Sequence, residues 1–391
     1  MTEQTPARRS AIRFIVCLGI VSLFADMTYE GAHSILGPFL QGLGATATEV
    51  GIIAGFGEMI AASLRFFSGK FADRTRAYWP IVFAGYGINI LVVPALAFAG
   101  NWQAAALLVV AERTGKALRG PARDVLLSEA TAEVGHGFGF GIHAAMDQTG
   151  AVVGPLIMAA IVAKEHRFGP AFLGLAIPAI LTVFALIAAR AVHPSKGKPP
   201  TPPAQQDLTK LFWWYVIAAG VLACGFADFA LLSYHFQSRQ LVSPALIPVY
   251  YAGAMGVVGA TALLCGRLFD RYGIAVLCAS VVISVVALPL GFLGGSGAVV
   301  ASIVCWAIGL GAQDATLRSG IAQVVSMNKR GAAFGAFNAI YGVMWFAGSV
   351  LMGVLYDHSL VGLVIFGIVA QLAAAIMFFV LRRSLAAAAA A

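Results

Sequence analysis

Charge is scarce in this chain. Only 11% of its 391 residues are Asp, Glu, Lys or Arg, against 60% hydrophobic residues and a mean hydropathy of +0.87. A soluble core of this length cannot bury so much apolar surface, so the composition is that of an integral membrane protein. Cysteine is sparse too: Cys17, Cys224, Cys265, Cys278 and Cys305 are scattered through apolar segments with no Cys-x-x-Cys spacing, which disfavours a disulfide framework and a zinc ribbon. There is no paired nucleophile and base, no phosphate-cradling loop and no extramembrane stretch long enough for a catalytic domain. An enzyme and an ATP-driven pump are therefore not expected, and no cofactor is. No cleavable signal is evident, because the first apolar run continues past signal-peptide length.

Long apolar runs are what the chain has in quantity. A spanning helix needs about 20 mainly apolar residues, and twelve such stretches begin near Arg13, Thr48, Tyr78, Asn101, Phe138, Phe168, Leu211, Leu246, Ile274, Ala298, Ala332 and Ser359. Their continuous character excludes the short alternating strands of an outer-membrane barrel. The expected fold is all-α, twelve transmembrane helices in two six-helix bundles, residues 1–192 and 211–391, joined by a Pro- and Lys-rich linker at 193–210. With Lys164, Arg167 and Arg239 as the exceptions, most bases fall on one side of the alternating spans: Arg8, Arg9 and Arg13; Lys70, Arg74 and Arg76; Arg119 and Arg123; Arg190 to Lys210; Arg267 and Arg271; Lys329 and Arg330; Arg382 and Arg383. The positive-inside rule makes that side the cytoplasm, with both termini there. The net charge of +8 thus expresses topology and predicts no nucleic-acid partner.

The halves repeat one another. Gly69-Lys70-Phe71-Ala72-Asp73-Arg74 after the second span is matched by Gly266-Arg267-Leu268-Phe269-Asp270-Arg271 after the eighth, and Phe140-Gly141 with Gly154-Pro155 by Phe334-Gly335 with Gly348-Ser349. Six spans per half return each to the same side, so these are parallel repeats. Phe24-Ala25-Asp26 with His33 and Phe226-Ala227-Asp228 with His235 look like a further repeated pair, in the first and seventh spans. A carboxylate inside hydrocarbon is costly and marks a functional site by default.

On these residues the chain resembles the major facilitator superfamily of secondary transporters over nearly its whole length. Gly69, Asp73, Arg74 and Arg76 are similar to its loop signature, which implies a conformational gate, with Gly266, Asp270 and Arg271 as the second copy; Thr75-Arg76-Ala77 stands where the signature has a later glycine. The charged fourth span, Glu112 to Asp124, resembles the family motif with a mid-helix arginine, which implies a role for Arg113 in proton transfer or substrate binding. Glu112, Lys116, Arg119 and Arg123 recur there at helical spacing and cannot face lipid. Gly150 to Pro155 is similar to the exporter motif, with Gly150, Gly154 and Pro155 as a close helix-packing face.

Asp26 with Glu30 and His143 with Asp147, each pair one turn apart, give the first half a concentration of titratable groups whose natural use is proton coupling with Arg113, Lys116 and Asp228. Tyr29, His33, Tyr234, His235, Asn338, Tyr341, Trp345 and Gln371 are expected to line a small-molecule cavity, and Asp314 with Arg318 to form a buried pair. A metal reading is the alternative: Asp26, His33, Asp228 and His235 look similar to the ligands that ferroportin-like members carry on their first and seventh helices. The expected activity is proton-coupled efflux of a small organic molecule by alternating access. Divalent iron, nickel or cobalt export and proton-driven uptake are the rivals. The expected partners are a small-molecule or ion substrate, protons and the lipid of the cytoplasmic membrane, with the chain acting as a monomer.

Overall fold

The computed structural model describes residues 6–131, 134–192, 208–325 and 330–390; the linker expected at 193–210 lies outside them up to residue 207, as does Lys329. Sixteen α-helices are present among the described residues, and no strand. In chain order they are α1 (Pro6–His33), α2 (Leu36–Gly42), α3 (Ala47–Thr75), α4 (Tyr78–Ala95), α5 (Trp102–Thr131), α6 (His136–Glu165), α7 (Phe168–Gly174), α8 (Ala176–Val192), α9 (Lys210–Cys224), α10 (Phe229–Ser238), α11 (Leu246–Tyr272), α12 (Ala275–Val285), α13 (Ala287–Phe292), α14 (Val299–Val324), α15 (Arg330–His358) and α16 (Leu360–Ala390).

Among the described residues, eleven stretches are long and apolar enough to cross a membrane. The remaining long helix is α5, whose thirty residues carry Glu112, Arg113, Lys116, Arg119, Arg123 and Asp124. It completes the expected twelve as the one whose charges need partners inside the protein. Outward-facing Leu91, Phe98, Leu107 and Phe184 are at least 65% exposed, which is sustainable only where lipid tails cover them. The chain is a multi-pass membrane protein.

Packing separates the chain into two compact units, Met1–Ile35 with Leu64–Thr201 and Leu36–Ser63 with Pro202–Ala391. The division by packing therefore differs from the covalent halves 1–192 and 211–391. In the second unit the start of α3 is held by α15: Thr48 donates to Asp357 Oδ2 from its amide (3.0 Å) and its hydroxyl (2.6 Å), satisfying an amide that a helix N-terminus leaves open. Phe14, Leu18, Tyr86 and Leu126 are core residues of the first unit, and Phe212, Tyr215, Leu277 and Phe378 of the second.

Helix starts reveal the register of the internal repeat. Tyr78 and Ala275 open α4 and α12, and Trp102 and Val299 open α5 and α14, each pair 197 residues apart. Side-chain packing extends the same register to the first helix of each half. A Cβ added at Gly150 or Gly154 of α6 would run into the carbonyl oxygens of Leu23 and Met27 of α1. In the second unit Met344 lies against Gly220, and a Cβ at Gly348 would meet the Cys224 carbonyl. Leu23 thus corresponds to Gly220 and Met27 to Cys224. Asp26 then aligns with Ala223, and Asp228 with Gly31.

The repeated Phe-Ala-Asp is consequently not a structural repeat: its second copy sits five residues farther along the chain. The seventh span is also not one straight helix. It breaks between Cys224 and Phe229, and Asp228 caps the new start, accepting from the Ala230 amide at 2.8 Å. Broken backbone inside a membrane must have its polar groups satisfied by protein. Gln371 Nε2 donates to the Gly225 carbonyl (2.9 Å) and Trp306 Nε1 to that of Ala227 (2.8 Å). Gln371, expected to line a cavity, is buried as a clasp on this break.

The register also explains a strained loop. Arg76 has φ +54° and Gly273, its counterpart, φ +59°. A residue with a side chain pays about 1–2 kcal/mol for left-handed backbone, and glycine escapes it. Arg76→Gly is expected to raise the thermal midpoint by about 1–2 °C in detergent, whereas Arg76→Val lowers it; a midpoint unmoved by either would show the turn to be unstrained.

Candidate functional site

Two long helices of the first unit, α1 and α5, run antiparallel with a rung of polar contact at every turn. Ser22 Oγ accepts from Arg123 Nη1 at 3.2 Å. Asp26 Oδ1 is 3.9 Å from Arg119 Nη2. The Lys116 ammonium lies 3.4 Å from the centre of the Tyr29 ring. Arg113 Nη2 donates to His33 Nδ1 at 3.0 Å. The steps between rungs are three or four residues on both helices, the spacing that keeps one face turned to a partner. From Ser22 to His33 the ladder rises about 16 Å at the standard rise, roughly half the hydrocarbon thickness.

Neighbouring helices hold the rungs in place. Arg113 is 1% exposed and Arg119 2%. A guanidinium so enclosed needs a counter-charge or an aromatic face. Arg119 lies over the Tyr86 ring at 4.3 Å and Arg113 over the Tyr29 ring at 4.7 Å; Tyr29 in turn stacks on His33. Glu112 turns partly aside from the expected stripe: it accepts from Asn89 Nδ2 at 2.7 Å while its second oxygen lies 3.7 Å from Arg113 Nε. Glu30, half-buried one turn past Asp26, acts electrostatically on both Asp26 and Lys116.

Helix α6 joins at the Ser22 end. His143 Nδ1 is 3.3 Å from Asp147 Oδ2, and His143 Nε2 is 2.9 Å from Ser22 Oγ. The carboxylate places the ring proton on Nδ1, so Nε2 accepts from the serine hydroxyl. Close approach of α6 is made by Gly150, whose missing Cβ would stand 3.1 Å from the Asp26 Cβ, and by Gly154, packed on Met27 and Gly31; Pro155 follows inside the helix. The first unit thus gathers Asp26, Glu30, Arg113, Lys116, His143 and Asp147 in one network. Ser22, Tyr86 and Asn89 belong to it as well, and sequence reading missed them because nothing in their letters says which helix they face.

The corresponding positions of the second unit carry none of this ladder. In register with Ser22, Asp26, Tyr29 and His33 stand Ala219, Ala223, Phe226 and Ala230; in register with Arg113, Lys116, Arg119 and Arg123 stand Leu310, Gln313, Thr316 and Gly320. What the second unit has is aromatic. Phe337, Tyr341 and Trp345 form a stripe on α15 with ring centres 5.4 and 5.9 Å apart, and Phe226 adds its ring 5.7 Å from Trp345. Tyr341 donates to Gln313 Oε1 at 3.1 Å. Asn338 is half-buried on the same helix. His235 is buried, its Nδ1 2.9 Å from the Tyr356 hydroxyl, and Tyr234 packs edge-on to the same tyrosine. Asp314 and Arg318 are both exposed, against the expected buried pair, because the face of α14 they occupy turns away from the core.

The four residues of the metal reading are all engaged otherwise. His33 receives a guanidinium, which repels a divalent cation, Asp26 faces Arg119, Asp228 caps α10 and His235 meets Tyr356. Among the described residues no group of three or more His, Cys, Asp or Glu is gathered to hold a metal ion. The residues of the expected loop are helical to Thr75: in the last turns of α3, Asp73 and Arg74 are exposed and Asp73 accepts from the Tyr78 hydroxyl at 3.4 Å, while Gly69 lies against Pro121. In the second copy Asp270 and Arg271 are exposed and Gly266 faces open space.

A protein with twelve long helices, two parallel repeats and a buried charge ladder in one of them has recognisable relatives. An uncharacterized protein of Mycobacterium tuberculosis is 39% identical over 95% of this chain and 94% of its own. Among solved structures, that of a mutant of the nucleoside transporter NupG superposes with a TM-score of 0.72 at 14% identity, covering 96% of this chain and 99% of that one. A bacterial homologue of the iron transporter ferroportin, in its inward-facing state, superposes with a TM-score of 0.69, also at 14% identity, over 95% and 98% of the two chains. These likenesses establish the fold; the family follows from sequence, since residues 18–349 match the Major Facilitator Superfamily pattern, and the chain belongs to that superfamily of membrane transporters.

Proposed function

We propose that the protein is a proton-coupled secondary carrier of the cytoplasmic membrane, with both termini inside, that exports a small organic molecule by alternating access as a monomer. The observation that carries the reading is the ladder, and within it Asp26, which lies 3.9 Å from the buried guanidinium of Arg119 and is also acted on by Lys116. A carboxylate at that distance is neutralised either by the cation or by a proton, and helix movement that changes the distance exchanges one for the other. Glu30 and Asp147 act on the same carboxylate and add alternative seats for the proton. His143, between Ser22 and Asp147, continues the path towards the end of the ladder marked by Arg123. Gly150 and Gly154 hold the backbone of α6 against that of α1, and the direction of export rests on their resemblance to the exporter motif. The exposed Asp73-Arg74 and Asp270-Arg271 pairs in the last turns of α3 and α11 are the proposed gate.

The test uses everted membrane vesicles in which respiration builds a pH gradient read by a quenched acridine dye. Ethidium, norfloxacin and chromone are added in turn. At least one is expected to discharge the gradient in vesicles containing the protein, and Asp26→Asn, which keeps an acceptor beside Arg119, is expected to slow that discharge at least tenfold. Discharge no faster than in vesicles without the protein, or unaltered by Asp26→Asn, would overturn the reading.

A further inference from the structure

Two hydrogen-bond donors in the aromatic wall of the second unit have nothing to donate to. Trp345 Nε1 and Gln313 Nε2 are both buried with no hydrogen-bond partner, on side chains 9% and 2% exposed. Each such donor costs about 1–3 kcal/mol if it stays unpaired, and two of them around one tyrosine call for a common explanation. Tyr341 connects them: its hydroxyl donates to Gln313 Oε1, leaving the amide NH2 as the unused half, and its ring lies 5.9 Å from that of Trp345. The surrounding surface is planar and apolar, with Phe337 stacked on Tyr341 at 27° and Phe226 against Trp345.

From this we infer that the carrier's substrate is a flat aromatic or heteroaromatic molecule bearing a neutral carbonyl, whose oxygen accepts from Trp345 Nε1 and Gln313 Nε2 while its rings lie along the Phe226 and Tyr341 faces. The inference rests on the reading of the chain as a carrier of small organic molecules and names the class. Aromatic faces select flatness, because offset stacking and edge contacts need a π-system of matching size. Donors without acceptors select an acceptor. Their own neutrality selects a neutral one: an indole N–H and a carboxamide NH2 bring no charge to offset that of a buried carboxylate.

The repeat register supplies independent support. Phe226 and Gln313 occupy the positions of Tyr29 and Lys116, so where the first unit has an aromatic ring and an ammonium the second has an aromatic ring and an amide. The amide keeps the donors and drops the charge, which suits recognition of a neutral oxygen and leaves the ionic chemistry to the other unit.

Equilibrium dialysis of the full-length protein in detergent micelles tests this, with chromone as the carbonyl probe, naphthalene as the flat bicycle that lacks an acceptor, and protein-free micelles subtracted. Chromone is expected to bind about tenfold or more tightly than naphthalene. Gln313→Leu and Trp345→Phe, the latter keeping an aromatic ring, are each expected to weaken chromone about tenfold and to leave naphthalene within twofold. If one variant fails to fold, the other decides. Equal affinity for the two probes, or losses shared equally by both, would overturn the inference, since packing alone would then account for them. No gradient is involved, so the two proposals fail separately. Selective chromone binding without gradient discharge leaves this inference standing and removes proton-coupled export; discharge that depends on Asp26, with no preference for the carbonyl, does the reverse.

Discussion

Gly154→Val is expected to be among the most damaging single changes in the first unit, costing at least about 3 kcal/mol and leaving little monodisperse protein after mild heating in detergent. The cause is backbone proximity. A Cβ at this position would overlap the Met27 carbonyl oxygen and stand 2.8 Å from the Met27 carbonyl carbon and Cα, and a carbonyl in a helix cannot swing aside as a flexible side chain does. Valine adds two more methyl groups to a place already too small for one. Gly348→Val should do the same to the second unit, against the Cys224 backbone. Gly87→Ala, where an added Cβ meets nothing within 4 Å, should leave the heating profile nearly unaltered or raise it slightly, because alanine is the better helix former. Size-exclusion profiles of the four proteins after a temperature series make the comparison; a Gly154→Val protein as heat-resistant as Gly87→Ala would show that α1 and α6 are not in backbone contact.

The pattern of contacts behind that expectation was only partly legible in the sequence. Twelve spans could be read because membrane helices must be apolar over about 20 residues whatever they pack against. Helix α5 stood out for the opposite reason, since its charges are too many for lipid. What hydropathy does not carry is register. Phe-Ala-Asp occurs at residues 24–26, 71–73 and 226–228, and in a chain rich in Phe and Ala such a match arises without common structure. The starts of α4 and α12 and the glycines of α6 and α15 carry the register, because backbone contact tolerates no slip. Gly150, Gly154 and Gly348 were visible, but their partners Leu23, Met27 and Cys224 are ordinary apolar letters whose role appears only on packing.

The residues of the ladder and of the helix break divide along the same line. Asp26, Glu30, Arg113 and Lys116 were visible because an ionisable group inside an apolar run is costly and has to be explained. Ser22, Tyr86 and Asn89 escaped notice since uncharged polar residues are cheap enough to occur anywhere in a helix. Gln371 was visible and misread: an amide in an apolar helix serves equally to line a cavity or to clasp a broken neighbour, and only the break at Gly225 decides. Asp228 has a role the letters do not show: it caps a helix start inside the membrane, accepting from the Ala230 amide, and so belongs to the scaffold of the break.

Asp26→Leu is expected to destabilise the first unit by about 3–5 kcal/mol, and the double change Asp26→Leu with Arg119→Met to recover most of that loss. Arg119 is 2% exposed and its ion pair is with Asp26; its Nη1 is buried without a hydrogen bond, so the guanidinium has little to fall back on beyond the Tyr86 ring. Removing one partner of a buried pair leaves an uncompensated charge, whereas removing both substitutes apolar packing and can be close to neutral. The size of the recovery is the coupling energy of the rung, and for residues in contact a value of about 1–3 kcal/mol is ordinary. Thermal midpoints of the wild type, both single variants and the double variant complete the cycle. The transport assay then separates stability from mechanism: a double variant that is folded as firmly as the wild type yet fails to discharge a pH gradient places the rung in coupling, while one that discharges it normally reduces the rung to a structural device. Additive single effects, with no recovery in the double variant, would mean that Asp26 and Arg119 do not sense one another across the gap of 3.9 Å.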